Sequence, residues 1–389
     1  MDKQPLEANW NYPTSIRFGP GRISELADAC NELKISSPLI VTDPGLVNLP
    51  MLTDIVNDCV SQGLDVSVFS GIISNPSDDN INTGVTTYKH KNSDGIIAIG
   101  GGSALDAGKA ISLMVAQTRV IWDFEDVNNN WQRVNTDGMP PVIAIPTTAG
   151  TGSEVGRVAV ITDPVNKAKR LIFHPNLMPN LVFLDPKLTI ALPKHLTAAT
   201  GMDAFSHALE AYCSPYFHPM AEGIALEAIR LVNRYLQRAV QDGTDLEARA
   251  HMMVASTMGA TAFQKGLGGM HALAHPLGAM YKAHHGLLNA ILMPYVLQAN
   301  KSEIQSRVTR LAKHIDLHNC SFDGFIEWVV TLRENIGIPH TLSQIGINDN
   351  EADEVSTRAY KDPSAATNPI TFSEEEYRNI FVNAVNGTL

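Results

Sequence analysis

A chain of 389 residues is too long for one compact core and points to two or three domains. Hydrophobic residues at 44% and charged residues at 18% exclude a disordered chain. Lys and Arg number 29 against 40 Asp and Glu, and the formal charge of −11 excludes a basic nucleic-acid surface.

The opening stretch MDKQPLEANWNYPTSIRFGPG lacks the apolar centre of a signal peptide. In chain order, PLIVTD (38–43), DVSVFS (65–70), DGIIAIGGG (94–102) and PVIAIPTT (141–148) follow as short β-rich runs. Their unbroken Val/Ile content predicts strands buried on both faces, as in a parallel sheet. Between them, MLTDIVNDCVSQG (51–63) and SALDAGKAISLMVAQ (103–117) have helical spacing. The alternation predicts a Rossmann-like, doubly wound α/β domain over residues 1–192. Past LDPKLTIALPK the grammar changes. KHLTAATGMDAFSHALEAYCS, PMAEGIALEAIRLVNRYLQRAV, LEARAHMMVASTMGATAF and EIQSRVTRLAKHI are rich in helix formers and predict an all-helical domain over 193–389. The longest apolar run, LLNAILMPYVLQ, is well short of the roughly 20 residues of a spanning helix, so no membrane partner is expected. Four scattered cysteines, without a CxxC pair, read as reduced thiols of a cytoplasmic protein.

Three stretches of the first half suit a dinucleotide. In IIAIGGGSALDAGKAI a buried strand runs through glycines into a helix, whose free N–H groups can receive a pyrophosphate, although neither GxGxxG nor GK[ST] is present. IPTTAGTGSEV places Thr147, Thr148, Thr151 and Ser153 straight after a strand, where hydroxyls can bond phosphate or ribose. Asp43 at a strand end can accept both ribose hydroxyls and would repel a 2′-phosphate, which favours NAD over NADP; it can equally open the DPGL turn.

The second half suits a metal. Asp203 and His207 are four apart in TGMDAFSHALEAY, so both lie on one face of an apolar helix. GMHALAHPLGAMYKAHHG then holds His271, His275, His284 and His285, out of 13 histidines in the chain. His271 and His275 are again four apart, while Pro276 disfavours helical geometry at His275. One Asp with three His is a mixed N/O donor set that suits Fe²⁺ or Zn²⁺ and not Ca²⁺ or Mg²⁺. Spacing does not choose which three histidines bind. A cleft between the two domains is where the metal and the nucleotide would meet.

GGGSALDAGKA (100–110), PTTAGTGSEV (146–155), ATGMDAFSHALEAY (199–212) and GLGGMHALAHPLGAMYKAHHG (266–286) together resemble the iron-containing (group III) alcohol dehydrogenases, as does the late D-x₅-NP of KDPSAATNP (361–369). The resemblance covers nearly the whole chain. It implies a dehydroquinate synthase-like architecture, a homodimer, and Asp203, His207, His271 and His285 as ligands of Fe²⁺, with Zn²⁺ the alternative. It implies that His275 stands beside the metal as the catalytic proton relay, since imidazole titrates near working pH. His284 is then a bystander. Asp43, Asn75, Gly101, Gly102, Ser103, Asp106, Thr147, Thr148, Thr151 and Lys169 would line the NAD site. The implied reaction is hydride transfer between a small alcohol, or its aldehyde or ketone, and NAD(P). Two rivals share the architecture. A glycerol dehydrogenase-like zinc enzyme normally lacks the counterpart of His207, and a dehydroquinate synthase-like lyase uses a Glu first ligand and a basic cluster. One departure from the family pattern is Lys265 in AFQKGLG, expected as a solvated helix-end lysine or as a lure for an acidic substrate.

Overall fold

Continuous Val/Ile runs make the middle of a parallel sheet, because only strands covered on both faces can bury every side chain. The computed structural model describes residues 8–10, 14–166 and 168–389, so residues 1–7 and 11–13 of the stretch on which the leader expectation rests lie outside the described residues. The strands are β1 (Ala8–Trp10), β2 (Ser15–Phe18), β3 (Pro38–Val41), β4 (Ser67–Phe69), β5 (Gly95–Gly100), β6 (Val142–Pro146), β7 (Val158–Asp163), β8 (Ala168–Phe173) and β9 (Leu181–Leu184). Seven of them form one sheet in the order β1-β2-β9-β6-β5-β3-β4, parallel except for the β1–β2 pair. Each residue of β3, β5, β6 and β9 is buried. Sequence reading had found β3 to β6. It had not found β1, β2 and β9, nor the β7–β8 hairpin. Helices α1 (Leu26–Glu32), α2 (Pro50–Ser61), α3 (Asp78–His90) and α4 (Gly102–Val115) complete this unit.

The chain divides into two compact units, residues 1–148 with 152–191, and 149–151 with 192–389. Among described residues the second is helical throughout: α5 (Lys194–Cys213), α6 (Pro219–Gln241), α7 (Leu246–Ala262), α8 (Gly269–Tyr281), α9 (His285–Ala299), α10 (Lys301–His314), α11 (Phe322–Asn335), α12 (Ala352–Tyr360) and α13 (Glu374–Asn386). Helix α5 is its axis, packed against α6, α7 and α9. Every residue from Thr197 to Cys213 is buried, so beyond its first turn this helix has no solvent face. Ionisable groups on such a helix must therefore find partners inside the protein.

Pro276 was expected to disturb the helix at His275. Instead α8 runs through it to Tyr281. Proline removes one backbone hydrogen bond, and the buried Leu273, Ala274, Pro276 and Leu277 hold the helix in place around that gap. Among the described residues no helix is long and apolar enough to cross a membrane.

Candidate functional site

In the α/β unit, β5 leads through Gly100 and Gly101 into α4, and no side chain caps the helix. Gly100 has φ 150, and a Cβ there would stand 2.7 Å from the Ala104 Cβ, so only glycine allows this turn. The N–H groups of Gly101, Gly102 and Ser103 at the start of α4 have no side-chain cap, an end at which an anion could be received. Around it stand most of the other expected cofactor residues. Asn75, in the left-handed region at φ 57, donates its N–H to Ser103 Oγ at 3.3 Å. Thr147 donates its N–H to the Gly100 carbonyl at 2.9 Å, and Thr148 faces Gly101. Lys169 lies on β8 opposite Thr162. Thr151 belongs to the short segment that packs with the helical unit, where Gly150 touches Thr200 of α5.

The carboxylates of Asp43 and Asp106 both have partners within the chain. The Asp43 Oδ1 accepts the N–H groups of Gly45 (2.8 Å) and Leu46 (3.1 Å), which is the turn-opening alternative; its Oδ2 faces the Gly100 backbone. The Asp106 carboxylate is taken up internally. It accepts from Ser153 Oγ at 2.5 Å and Val160 N at 3.1 Å and pairs with the buried Lys109 at 3.0 Å. Asp106 thus holds the Ser153 loop against β7.

In the helical unit the structure brings Asp203, His207, His271 and His285 together. One ligand atom from each lies within 4.8 Å of the others. Asp203, His207 and His271 are buried and the His285 side chain is 24% exposed, so the cluster opens on one side. The His207 and His271 rings stack at 4.9 Å. Burial pulls His207 down to about 4, so that ring is neutral and its lone pair is available. Burial would also lower His271, but the Glu210 charge and hydrogen bond outweigh it and hold this ring above its ordinary value. A field that favours a proton on His271 also favours a cation beside it.

Asn289, one turn after His285 on α9, was not anticipated. Its Nδ2 lies 2.9 Å from Asp203 Oδ1, 3.1 Å from His271 Nε2 and 3.2 Å from His285 Nε2. An amide nitrogen has two hydrogens, so three acceptors converge on fewer donors than they need. The Asn289 Oδ1 is itself buried with no hydrogen-bond partner. A cluster with surplus lone pairs and a neutral His207 fits a divalent metal ion.

His275 lies outside the four. Its Nδ1 is 2.8 Å from Asp362 Oδ2, and its ring stacks on His285 at 5.4 Å and 7°. Burial would raise the Asp362 carboxyl, but His275 and the Ser364 N–H hold it below the usual range. Asp362 opens the D-x₅-NP motif, so that late motif supports His275. His284 is exposed just before α9. Lys265 requires a correction, because it is neither solvated nor directed at a substrate. It is 3% exposed, and its Nζ is held by Glu222 Oε1 (2.8 Å) and the Tyr212 carbonyl (3.3 Å). The turn after α7 folds this side chain back under the end of α5.

Gly286 sets how closely α9 approaches α5. A Cβ there would stand 2.3 Å from the Ala199 carbonyl and 2.9 Å from the Asp203 Cβ. The Gly286→Ala variant is expected to force the two helices apart, costing about 1–3 kcal/mol through overpacking. A lowered thermal midpoint together with weakened metal retention is the expected result; unchanged values of both would show that α9 adjusts freely.

The family described as iron-containing alcohol dehydrogenase matches residues 13–186, and the C-terminal part of the Fe-containing alcohol dehydrogenase family matches residues 197–385. The chain is similar to a 4-hydroxybutyrate dehydrogenase of Cupriavidus necator, 37% identical over 95% of this chain and 97% of that protein. Among solved structures it is similar to a 1,3-propanediol oxidoreductase, with a TM-score of 0.90 and 33% identity over 98% of this chain and 100% of the other. A sulfoacetaldehyde reductase from Bifidobacterium kashiwanohense, solved in complex with NAD⁺, aligns with a TM-score of 0.87 and 26% identity over 99% of both chains.

Proposed function

This chain belongs to the iron-containing alcohol dehydrogenase family and is an oxidoreductase acting on CH–OH donors; we propose that it interconverts a small alcohol or diol and its aldehyde or ketone, using NAD and Fe²⁺ as a homodimer. The reading rests above all on the four donors whose ligand atoms lie within 4.8 Å of one another. In it, Asp203, His207, His271 and His285 hold the metal. Gly101, Gly102 and Ser103 at the start of α4 receive the pyrophosphate, and Asn75, Thr147, Thr148, Thr151 and Lys169 complete the dinucleotide contacts. The Asp43 Oδ2 accepts from the ribose while its Oδ1 keeps the turn, which supports NAD over NADP. Asp106 supports the loop from behind.

A bound divalent metal supplies Lewis acidity toward the substrate oxygen, and a bound nicotinamide supplies hydride acceptance. The chain's own residues handle the proton. Asp362 fixes the His275 ring through Nδ1, leaving Nε2 to take the proton that leaves the alcohol oxygen and pass it to solvent. Asp203 brings one negative charge to the cluster, balancing part of the cation's charge. Zn²⁺ fits the same donors, and iron is preferred on family membership.

The test is protein purified without oxygen, loaded separately with Fe²⁺ and Zn²⁺, and assayed on an alcohol and diol panel with NAD⁺ and NADP⁺. Turnover of short alcohols or diols with NAD⁺ is expected, faster with Fe²⁺. No turnover across the panel at verified metal occupancy would sink the reading.

A further inference from the structure

Helix α5 carries a third ionisable side chain on the face that holds Asp203 and His207. Glu210 follows at i+7 from Asp203 and i+3 from His207, and is 5% exposed. Its oxygens are not among the four clustered donors. Oε2 accepts the Gly268 N–H at 2.8 Å and lies 2.6 Å from His271 Nδ1, while Oε1 accepts the Met270 N–H at 2.7 Å. Between these, the Gly269 N–H donates to Asn368 Oδ1 at 2.9 Å. Three successive N–H groups at the start of α8, which no carbonyl of the helix can serve, are thus taken by side chains from outside it. Gly268 makes room, since a Cβ there would lie 3.0 Å from Glu210 Oε1 and 2.9 Å from Asn368 Oδ1.

We propose that Glu210 is a positioning residue that locks His271 in one tautomer and one orientation, with Nε2 bare and turned toward Asp203 and His285. This rests on the metal reading above. The argument is one of donor counting. A carboxylate only accepts, and its Oε2 faces His271 Nδ1, so Nδ1 must carry the hydrogen of a neutral ring. Nε2 is then the lone-pair atom, and it is Nε2 that lies beside Asn289. The carboxylate also strengthens the ring as a donor to a cation. Both effects come from a residue that touches no reacting atom.

The isosteric Glu210→Gln variant tests this sharply. Donors face both carboxylate oxygens: the Gly268 N–H and His271 on Oε2, the Met270 N–H on Oε1. A glutamine must turn its NH₂ toward one side. Facing His271, it drives that ring to the Nε2–H tautomer, which cannot bind a metal through Nε2. In metal-free protein labelled with ¹⁵N-histidine, at a pH high enough for the ring to be neutral, the His271 signal, identified by its loss in His271→Asn, should report Nδ1–H in the wild type and a shift toward Nε2–H in Glu210→Gln. In chelator competition with Co²⁺, Glu210→Gln should bind roughly 10–100-fold more weakly, with an altered visible spectrum. An Nε2–H tautomer in the wild type would overturn the proposal, whether or not the variant folds. So would a variant that keeps both the wild-type tautomer and wild-type Co²⁺ affinity. If the wild type bound no Co²⁺ but the tautomers behaved as expected, the metal reading would fall and the hold of Glu210 on His271 would stand.

Discussion

Replacing Asp203 by alanine is expected to abolish metal retention and NAD-linked turnover together. Asp203 is the one formal negative charge among the four donors, it is 2% exposed, and its Oδ1 lies 3.7 Å from His285 Nε2. A cation left with three neutral imidazoles in a buried cluster loses its principal charge compensation. Loss of a supporting residue typically weakens metal binding about 10–100-fold, and loss of a ligand should exceed that. The fold should survive. Without metal, Asp203 is a buried carboxylate, and its removal relieves a desolvation cost rather than leaving a charge unpaired. Wild-type protein should therefore gain thermal stability on metal addition by mass action, and Asp203→Ala should lose that gain while its metal-free midpoint stays level or rises. Full metal occupancy in the variant, measured by elemental analysis, would refute the ligand assignment.

The second large effect is expected at His275, and it has the opposite pattern. His275→Ala should keep its metal and lose turnover by about 10²–10⁴, the range for removal of a general acid–base group. The separation follows from geometry. His275 presents Nδ1 to Asp362 and stacks on His285, but its nitrogens are not in the four-donor cluster. Added imidazole should restore part of the lost rate, since it returns the proton acceptor without the scaffold. Asp362→Asn should show a smaller loss of the same kind, because the ring stays but its orientation is no longer set by a charge. Wild-type turnover in His275→Ala at equal metal occupancy would remove His275 from the reaction. A loss of metal as well would make it a ligand.

The two variants also bear on how far residue spacing can be read. Asp203 and His207 declared themselves four residues apart on one helix, because a local period places both on one face. Among the downstream histidines spacing left the choice open. Family resemblance selected His271 and His285, and the structure places those two with Asp203 and His207. No local rule announces Glu210 or Asp362 as a partner of the His271 or His275 ring, or Asn368 as the partner of the Gly269 N–H. Glu210 meets His271 across 61 residues of chain, Asp362 meets His275 across 87, and Asn368 meets Gly269 across 99.

Local patterns along the chain mark the core strands β3 to β6, the switch from strand–helix alternation to helices, and the residue types able to hold a cation. These are encoded in patterns a few residues long: buried Val/Ile runs, helical spacing, and glycines where a strand turns into a helix. Tertiary structure alone decided the uses of individual polar groups. It put Lys265 under the end of α5, spent Asp106 on Ser153 and Lys109, and carried α8 through Pro276. The reason is that a buried polar group must be satisfied by whatever donor or acceptor packing brings within reach, and packing joins residues distant in the chain.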